Sequence, residues 1–229
     1  MTRIVEYADG AALATGLAAQ VACDLREALS QRGRATLAVP GGSTPGPFLT
    51  VLAQETLDWS HVAICPTDER WAPPDHPRSN ERMIRDALHE IGAAPTFLPF
   101  WRDGLSPAEA APAVARAFAP HLPIDVCILG MGTDMHCASL FPDGTGLADA
   151  MNPEGTAVIV PLTAPGATEP RITLTAARLS EAGKLYLLIV GPEKLAAVTA
   201  ALKESDELKA PVGAVLRRAH NARVHLALR

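Results

Sequence analysis

The stretch IDVCILGMGTDMHCASLFP, residues 124–142, joins an apolar run to a glycine-containing turn that carries a histidine. The run at 124–129 is apolar and partly β-branched, which suits a strand buried on both faces, and Gly130 and Gly132 then interrupt it. The polar side chain of His136 therefore follows the carboxyl end of a strand. Ligands of open parallel α/β sheets bind outside these strand ends, so His136 is a candidate for a chemical role.

The rest of the chain alternates short apolar runs with longer alanine-rich segments, which is typical of strands joined by crossover helices. The predicted strands are residues 35–40, 62–66, 124–129, 157–161, 171–175, 184–190 and 223–228. The predicted helices are residues 11–32, 45–54, 80–91, 192–203 and one that opens with a capping box at 106–109 and ends near residue 119. This alternation predicts an α/β sheet protein. The proline-rich segments 72–78 and 152–170 are expected to be ordered loops over a sheet edge.

Composition limits the classes of function. A chain of 229 residues that is 48% hydrophobic and 20% charged can bury a sizeable core, and we expect one domain over residues 1–229. A net charge of −5 with 4% aromatic residues argues against a nucleic-acid-binding surface. No apolar run approaches the roughly 18 residues that span a bilayer, and residues 1–9 do not resemble a signal peptide. We therefore expect a cytoplasmic protein that binds neither nucleic acid nor membrane.

A glycine-rich turn, PGGSTP at residues 40–45, lies directly between a predicted strand and a predicted helix. Thr44 is suited to cap the helix, Pro45 suits its first turn, and Gly41 and Gly42 let backbone amides approach a ligand closely. Free amides and the positive end of the helix dipole favour an anion at such a turn. The motif is not a Walker loop, because its lysine is missing. An ordinary tight turn is the alternative interpretation.

Further charged groups follow other predicted strands. TDER at residues 67–70 comes directly after strand 62–66, with Ser79-Asn80 downstream, and its carboxylates and arginine could orient a base or bind an oxyanion or phosphate. Arg171 opens a predicted strand. Lys194 lies in the first turn of a predicted helix, where a cation is unfavourable unless an anion is nearby. A solvated charge cluster and a lysine that points into water are the alternatives.

The surroundings of His136 favour proton transfer over cofactor binding. The Gly130-x-Gly132 spacing superficially resembles a dinucleotide fingerprint, but the third glycine and the acidic partner are missing, so no NAD site is predicted. We expect Asp134 or a nearby carbonyl to fix the tautomer of His136 and leave its other nitrogen free to take a proton from water. A satisfied core or loop histidine is the alternative. The four cysteines have no CxxC spacing, so neither a zinc site nor a disulfide framework is predicted.

These motifs occur together in one order. They are PGGSTP (40–45), TDERW (67–71) with SN (79–80), GMGTDMHCASLFP (130–142), RITLT (171–175) and GPEK (191–194), and they span about two thirds of the chain. The set resembles the 6-phosphogluconolactonase family, whose superfamily also contains glucosamine-6-phosphate deaminase. In the deaminases the histidine motif typically continues with an Ala-Phe-Asn-Glu-Pro-like run. Here residues 138–142 read ASLFP, which is the lactonase form.

The resemblance implies a doubly wound, Rossmann-like, mainly parallel sheet with helices on both faces, and neither a metal ion nor an organic cofactor. It implies hydrolysis of 6-phospho-D-glucono-1,5-lactone in the oxidative pentose phosphate pathway, with His136 as the general base that activates water. Asp68 and Arg70 would line the sugar end or stabilise the oxyanion, and contact between Arg70 and the phosphate stays an open alternative. The residues that would hold the phosphate are Gly41, Gly42, Ser43, Arg171 and Lys194.

One position departs from the family. Met135 stands where the family usually has glycine, which costs about 1–2 kcal/mol if this site requires a positive φ. Activity is expected to survive, because the other motifs are intact. A deaminase or isomerase of the same fold is one rival, which the ASLFP form argues against. A non-catalytic sugar-phosphate sensor is the other, although such sensors usually carry a DNA-binding module, for which the α/β pattern leaves no room. We expect a monomer or a small homo-oligomer.

Overall fold

The computed structural model describes residues 2–91 and 94–229. The first half contains β1 (Arg3–Tyr7), α1 (Gly10–Arg32), β2 (Ala35–Val39), α2 (Pro45–Ala53), β3 (Val62–Pro66), β4 (Asp68–Arg70), α3 (Asn80–Ala87), β5 (Thr96–Phe97) and α4 (Pro107–Phe118). The second half contains β6 (Val126–Leu129), α5 (Leu147–Met151), β7 (Ile159–Leu162), β8 (Arg171–Leu174), α6 (Ala176–Ser180), β9 (Lys184–Val190), α7 (Pro192–Ala201), α8 (Pro211–Arg218) and β10 (Ala222–Ala227). The predicted alternation of strands and helices is confirmed.

Seven parallel strands form the main sheet, in the order β1-β10-β9-β6-β2-β3-β5. Successive residues of its central strands belong to different cores. Val126 and Ile128 pack with α1, α2 and α3, whereas Cys127 and Leu129 pack with α4, α7 and α8 on the opposite face. Both faces are therefore covered by helices, which explains why these strands are apolar throughout instead of alternating. The predicted doubly wound, Rossmann-like sheet is confirmed.

A second, smaller sheet is antiparallel and has the order β4-β8-β7. Its strand β4 begins two residues after β3 ends, so the small sheet is attached at the carboxyl edge of the main one. The predicted strands 157–161 and 171–175 therefore exist, but they pair with each other and with β4 outside the parallel sheet. This arrangement places residues of the small sheet beside the ligand-binding edge of the main sheet.

Local signals set most element ends. Asp9 accepts a hydrogen bond from Ala12 N at 2.8 Å at the start of α1, and Gly33, with φ 68°, ends this helix in the left-handed conformation. The predicted capping box at the start of α4 is present. Helix α3 was predicted to reach residue 91, but it ends at Ala87, and this part of the prediction is wrong. No helix in residues 2–91 and 94–229 is long and apolar enough to cross a membrane.

Candidate active site

A cavity of about 330 Å³ opens at the carboxyl ends of β2, β6 and β9, where the small sheet meets the main one. Among its lining residues are eight of the predicted site residues: Gly41, Gly42, Ser43, Asp68, Arg70, His136, Arg171 and Lys194. The remaining predicted residue, Asp134, contacts His136. The structure thus brings all the predicted residues into one place, and their roles in catalysis stay predictions. Phe141 and Asn80 also line the cavity and were not predicted as site residues.

His136 is held by its neighbours in the turn that follows β6. Its Nδ1 lies 2.6 Å from Oδ1 of Asp134, a geometry in which Nδ1–H donates to the carboxylate and Nε2 is left to accept a proton. The ring of Phe141 covers His136 with centroids 4.1 Å apart. Gly132 leaves room for the His136 ring in this position, because a Cβ at residue 132 would lie 2.3 Å from Nδ1 of His136. The arrangement fixes the ring and leaves one nitrogen to accept a proton, as the prediction for His136 requires.

The histidine turn contains a strained residue. Gly132 N donates to the carbonyl of His136 at 3.1 Å, and Met135 N donates to the carbonyl of Gly132 at 3.1 Å, which closes a tight loop. Met135 has φ 69° within it, a conformation that disfavours a side chain by about 1–2 kcal/mol. Its carbonyl accepts a hydrogen bond from Val212 N at 3.1 Å, in the first turn of α8. The loop is therefore fixed despite the missing glycine.

The glycine-rich turn forms the second part of the site. Gly42 has φ 96°, and Gly41 is so close to Asn80 that a Cβ would lie 1.8 Å from the Asn80 Oδ1 atom. Thr44 was expected to cap α2, but it is itself in a helical conformation and its side chain makes no capping hydrogen bond within the described chain. The predicted capping role of Thr44 is therefore wrong. The turn residues 41–44 nevertheless line the cavity at the positive end of the α2 dipole.

Two arginines lie directly opposite each other in the small sheet. Arg70 on β4 is the register partner of Arg171 on β8, although like charges facing each other across strands are destabilising. Arg171 is only 9% exposed, and its Nε and Nη1 atoms have no hydrogen-bond partner among the described residues. Burial lowers the pKa of Arg171, and the charges of Arg70 and Arg78 lower it further. A bound anion would satisfy these donors and relieve the repulsion, so the pair indicates an anion site.

Asp68 lines the cavity from the same face of β4 as Arg70. Its Oδ2 accepts a hydrogen bond from the buried hydroxyl of Ser139, whose own N–H donates to Thr173 Oγ1 at 3.3 Å. Ser139 is therefore a donor that holds Asp68 in place. The sequence offered no sign of this contact, because the two residues are 71 positions apart.

Glu69 points away from the cavity lining, since successive strand residues face opposite sides. It is 1% exposed, and its carboxylate binds the first turn of α3. Burial raises the pKa of Glu69 to about 7, because desolvation outweighs the backbone N–H groups of Asn80, Glu81 and Arg70 that favour the charged form. The expectation that both carboxylates of the TDER motif face the site is met only by Asp68.

Lys194 reaches back from the first turn of α7 to the loop after β6. Its Nζ donates to the carbonyl of Met131 at 2.9 Å, and its side chain is half-buried at the cavity wall. It therefore does not point freely into water, the alternative considered from the sequence. Within residues 2–91 and 94–229, no cluster of three or more His, Cys, Asp or Glu side chains has the arrangement of a metal site.

The fold and the site define a doubly wound α/β protein in which two facing arginines and a glycine-rich turn share one cavity with a carboxylate-bound histidine. The match to known proteins is more specific. Residues 8–225 match the family model described as glucosamine-6-phosphate isomerases/6-phosphogluconolactonase, and the chain belongs to this family.

Relatives of similar length carry the same name. A 6-phosphogluconolactonase of Rhizobium meliloti is 43% identical over 216 residues, covering 93% of each chain. One of Pseudomonas aeruginosa is 44% identical over 218 residues, covering 92% of this chain and 90% of the relative. The crystal structure of a 6-phosphogluconolactonase from Shewanella baltica superimposes with a TM-score of 0.94 at 32% identity, covering 99% of this chain and 98% of the other.

Proposed function

We propose that this protein hydrolyses 6-phospho-D-glucono-1,5-lactone to 6-phospho-D-gluconate. The observation that carries the proposal is one cavity holding both the Asp134-oriented His136 and the facing pair Arg70 and Arg171. A base and an anion site in one cavity match a substrate that has both a reactive lactone carbonyl and a phosphate. The names of the relatives support this choice of substrate.

In the proposed reaction, His136 Nε2 takes a proton from a water molecule as the water oxygen attacks the lactone carbonyl carbon. The resulting tetrahedral intermediate then collapses, the bond from C1 to the ring oxygen breaks, and the protonated His136 returns a proton to that oxygen. Asp134 stabilises the imidazolium that exists between these steps, because its carboxylate lies on Nδ1. The product acid ionises in solution. A strained or activated ester of this kind needs neither a covalent intermediate nor a triad.

The cationic groups are assigned to the phosphate. Arg171 has donors without a partner among the described residues, Arg70 faces Arg171, and the glycine-rich turn lies at the positive end of the α2 dipole. Gly41, Gly42, Ser43 and Lys194 complete the cradle. We assign Arg70 to the phosphate because Arg70 and Arg171 face each other and one phosphate between them would neutralise both charges. Asp68, fixed by Ser139, is then left to bind the sugar hydroxyls.

The test is the disappearance of freshly generated 6-phosphogluconolactone compared with its spontaneous hydrolysis. Wild type is expected to accelerate it, and His136→Ala to lose about 10²–10⁴-fold of that acceleration, which is the range for general base catalysis. Equal rates for the two proteins would refute the role of His136. Release of ammonia from glucosamine 6-phosphate would favour the deaminase alternative, and binding of 6-phosphogluconate without turnover would favour the sensor.

We also infer the setting of this reaction. The substrate places the enzyme in the oxidative pentose phosphate pathway, and the cytoplasmic location expected from the sequence accords with that role. Independence from metal ions and cofactors, and a monomeric or small homo-oligomeric state, stay predictions. Activity that is unchanged after dialysis against a chelator would support the first, and sedimentation would determine the second.

A further inference from the structure

A carboxylate outside the cavity lining connects the two halves of the anion site. Oε1 of Glu69 accepts hydrogen bonds from Arg70 N at 2.8 Å and Asn80 N at 2.7 Å. Oε2 accepts from Glu81 N at 2.7 Å and from Ser79 Oγ at 3.2 Å. One side chain thus binds the backbone of β4 and the first turn of α3 together. All four partners are donors and together they hold both carboxylate oxygens, so the connection is firm.

The first turn of α3 leads onward to the glycine-rich turn. Asn80 is the first residue of α3, and its Nδ2 donates to the carbonyl of Asp68 at 2.7 Å. Its Oδ1 lies against Gly41, where even a Cβ would not fit. Asn80 therefore fills the space between β4 and the turn before α2. A displacement of Asn80 would move Gly41 relative to Arg70, and all three line the cavity.

We propose that Glu69 is a positioning residue for anion binding, which sets the separation of Arg70 and the Gly41 turn through the start of α3. This inference rests on the proposed function for its assay, although anion binding can be measured without turnover. His136 and Asp134 are held by other residues of the turn after β6 and make no hydrogen bond to Glu69 within the described chain. Loss of Glu69 should therefore weaken substrate binding and leave the chemical step largely intact.

The central variant is Glu69→Gln. The amide keeps the shape and one acceptor, but its NH2 group faces two donors and so breaks two of the four hydrogen bonds. We expect KM for the lactone to rise at least about tenfold while kcat changes less than about threefold. This pattern is expected when a lost interaction binds the substrate and the transition state equally well. The Kd of 6-phosphogluconate, measured by calorimetry, should rise in parallel with KM.

The chain offers a matched control in Glu109→Gln. Glu109 also binds the start of a helix, since its Oε2 accepts from Ser106 N at 2.8 Å in the capping box of α4, but it does not line the cavity. Both variants weaken a helix start, and only Glu69→Gln should change KM and Kd. Equal changes in the two variants, or an unchanged KM and Kd in a folded Glu69→Gln protein, would overturn the proposal.

A double-mutant cycle tests the route through Asn80. If Glu69 acts through this residue, the effect of Glu69→Gln on Kd should shrink in an Asn80→Ala background, whereas additive effects would contradict it. Glu69→Asp, which withdraws the carboxylate by one methylene, replaces Glu69→Gln if the latter fails to fold.

Wild type that binds 6-phosphogluconate but does not hydrolyse the lactone would refute the proposed function and leave the Kd test intact. Wild type that binds neither would overturn both.

Discussion

His225 makes the protein sensitive to acid. The side chain is 2% exposed on β10, its Nδ1 lies 2.9 Å from the Tyr7 hydroxyl, and its Nε2 has no partner within the described residues. Its ring stacks on Tyr7 and meets the edge of Tyr186 at a centroid distance of 5.0 Å. Burial, with a smaller contribution from the charge of Arg223, lowers the pKa of His225 from 6.5 to about 4. The neutral form is therefore the one that fits the fold.

The sign of the effect follows from proton binding. Between pH 6.5 and about 4 the unfolded chain binds a proton at His225 and the folded protein does not, so acid favours unfolding. The stability that depends on neutral His225 is present above pH 6.5 and is lost as the pH falls toward 4. A pKa difference of this size between the folded and the unfolded state corresponds to about 3 kcal/mol in the free energy of unfolding. This amount is a large part of the stability of a typical domain.

His225→Phe should remove this dependence. Phenylalanine keeps the aromatic contacts with Tyr7 and Tyr186, cannot be protonated, and eliminates the unpaired Nε2, while the half-buried Tyr7 hydroxyl can turn to water. The free energy of unfolding in urea should be measured at pH 7 and pH 4.5 for both proteins. We expect the variant to gain about 2–3 kcal/mol relative to wild type on going from pH 7 to pH 4.5.

Wild type has to be compared with His225→Phe because other groups also titrate between pH 4.5 and pH 7. The pKa of Glu69 is raised to about 7, so its stabilising contribution is present at low pH and lost as the pH rises, which is opposite in sign. The same measurements on a variant with glutamine in place of the exposed His89 serve as the control for replacing a histidine. A constant difference between wild type and His225→Phe at the two pH values would refute the reasoning.

Three further predictions concern the candidate active site. Gly132→Ala should lower kcat by at least about tenfold with little change in melting temperature, because a Cβ would displace His136; kinetics equal to wild type would contradict this. Arg171→Met should raise KM by about 10–100-fold and increase the free energy of unfolding without ligand, since it removes a buried cation with unpaired donors; urea titrations and KM measurements check both changes. Met135→Gly should leave kcat/KM within about tenfold of wild type and stabilise the protein by no more than about 1 kcal/mol, because relief of the positive φ is offset by the flexibility of glycine. A rise in kcat/KM of several orders of magnitude from near zero would show that Met135 disables the natural enzyme.

The elements that the sequence predicted well are those whose own residues determine them. The apolar runs of β2, β3, β6 and β9 are buried on both faces, so their composition alone marks them. Strand β4 could not be predicted in this way, because DER has no apolar pattern and is extended only through its pairing with β8. Helix α8 was missed although its apolar residues are buried, because the glycine at its third position lowers its helix propensity, and β1 was missed because this edge strand is largely exposed. Tertiary contacts decide their conformation.

The site was predictable to the extent that strand ends converge. Motifs that follow parallel strands meet at one edge of the sheet, and this principle alone gathers His136 with the glycine-rich turn. The pairing of Arg70 with Arg171 depends on the register of two strands that are about one hundred residues apart in the sequence, and no local pattern encodes it. The orientation of Glu69 away from the cavity follows from the alternation of side chains along a strand, but only once β4 is known to be a strand.

The facing arginines of the small sheet also affect how this protein has to be handled at the bench. Any anion that binds between Arg70 and Arg171 in the folded state, inorganic phosphate included, adds to the free energy of unfolding by mass action. At a concentration one hundred times its Kd, such an ion contributes about 2.7 kcal/mol. Stabilities measured in phosphate or sulfate buffers should therefore exceed those in a zwitterionic buffer, and the choice of buffer becomes part of every melting temperature.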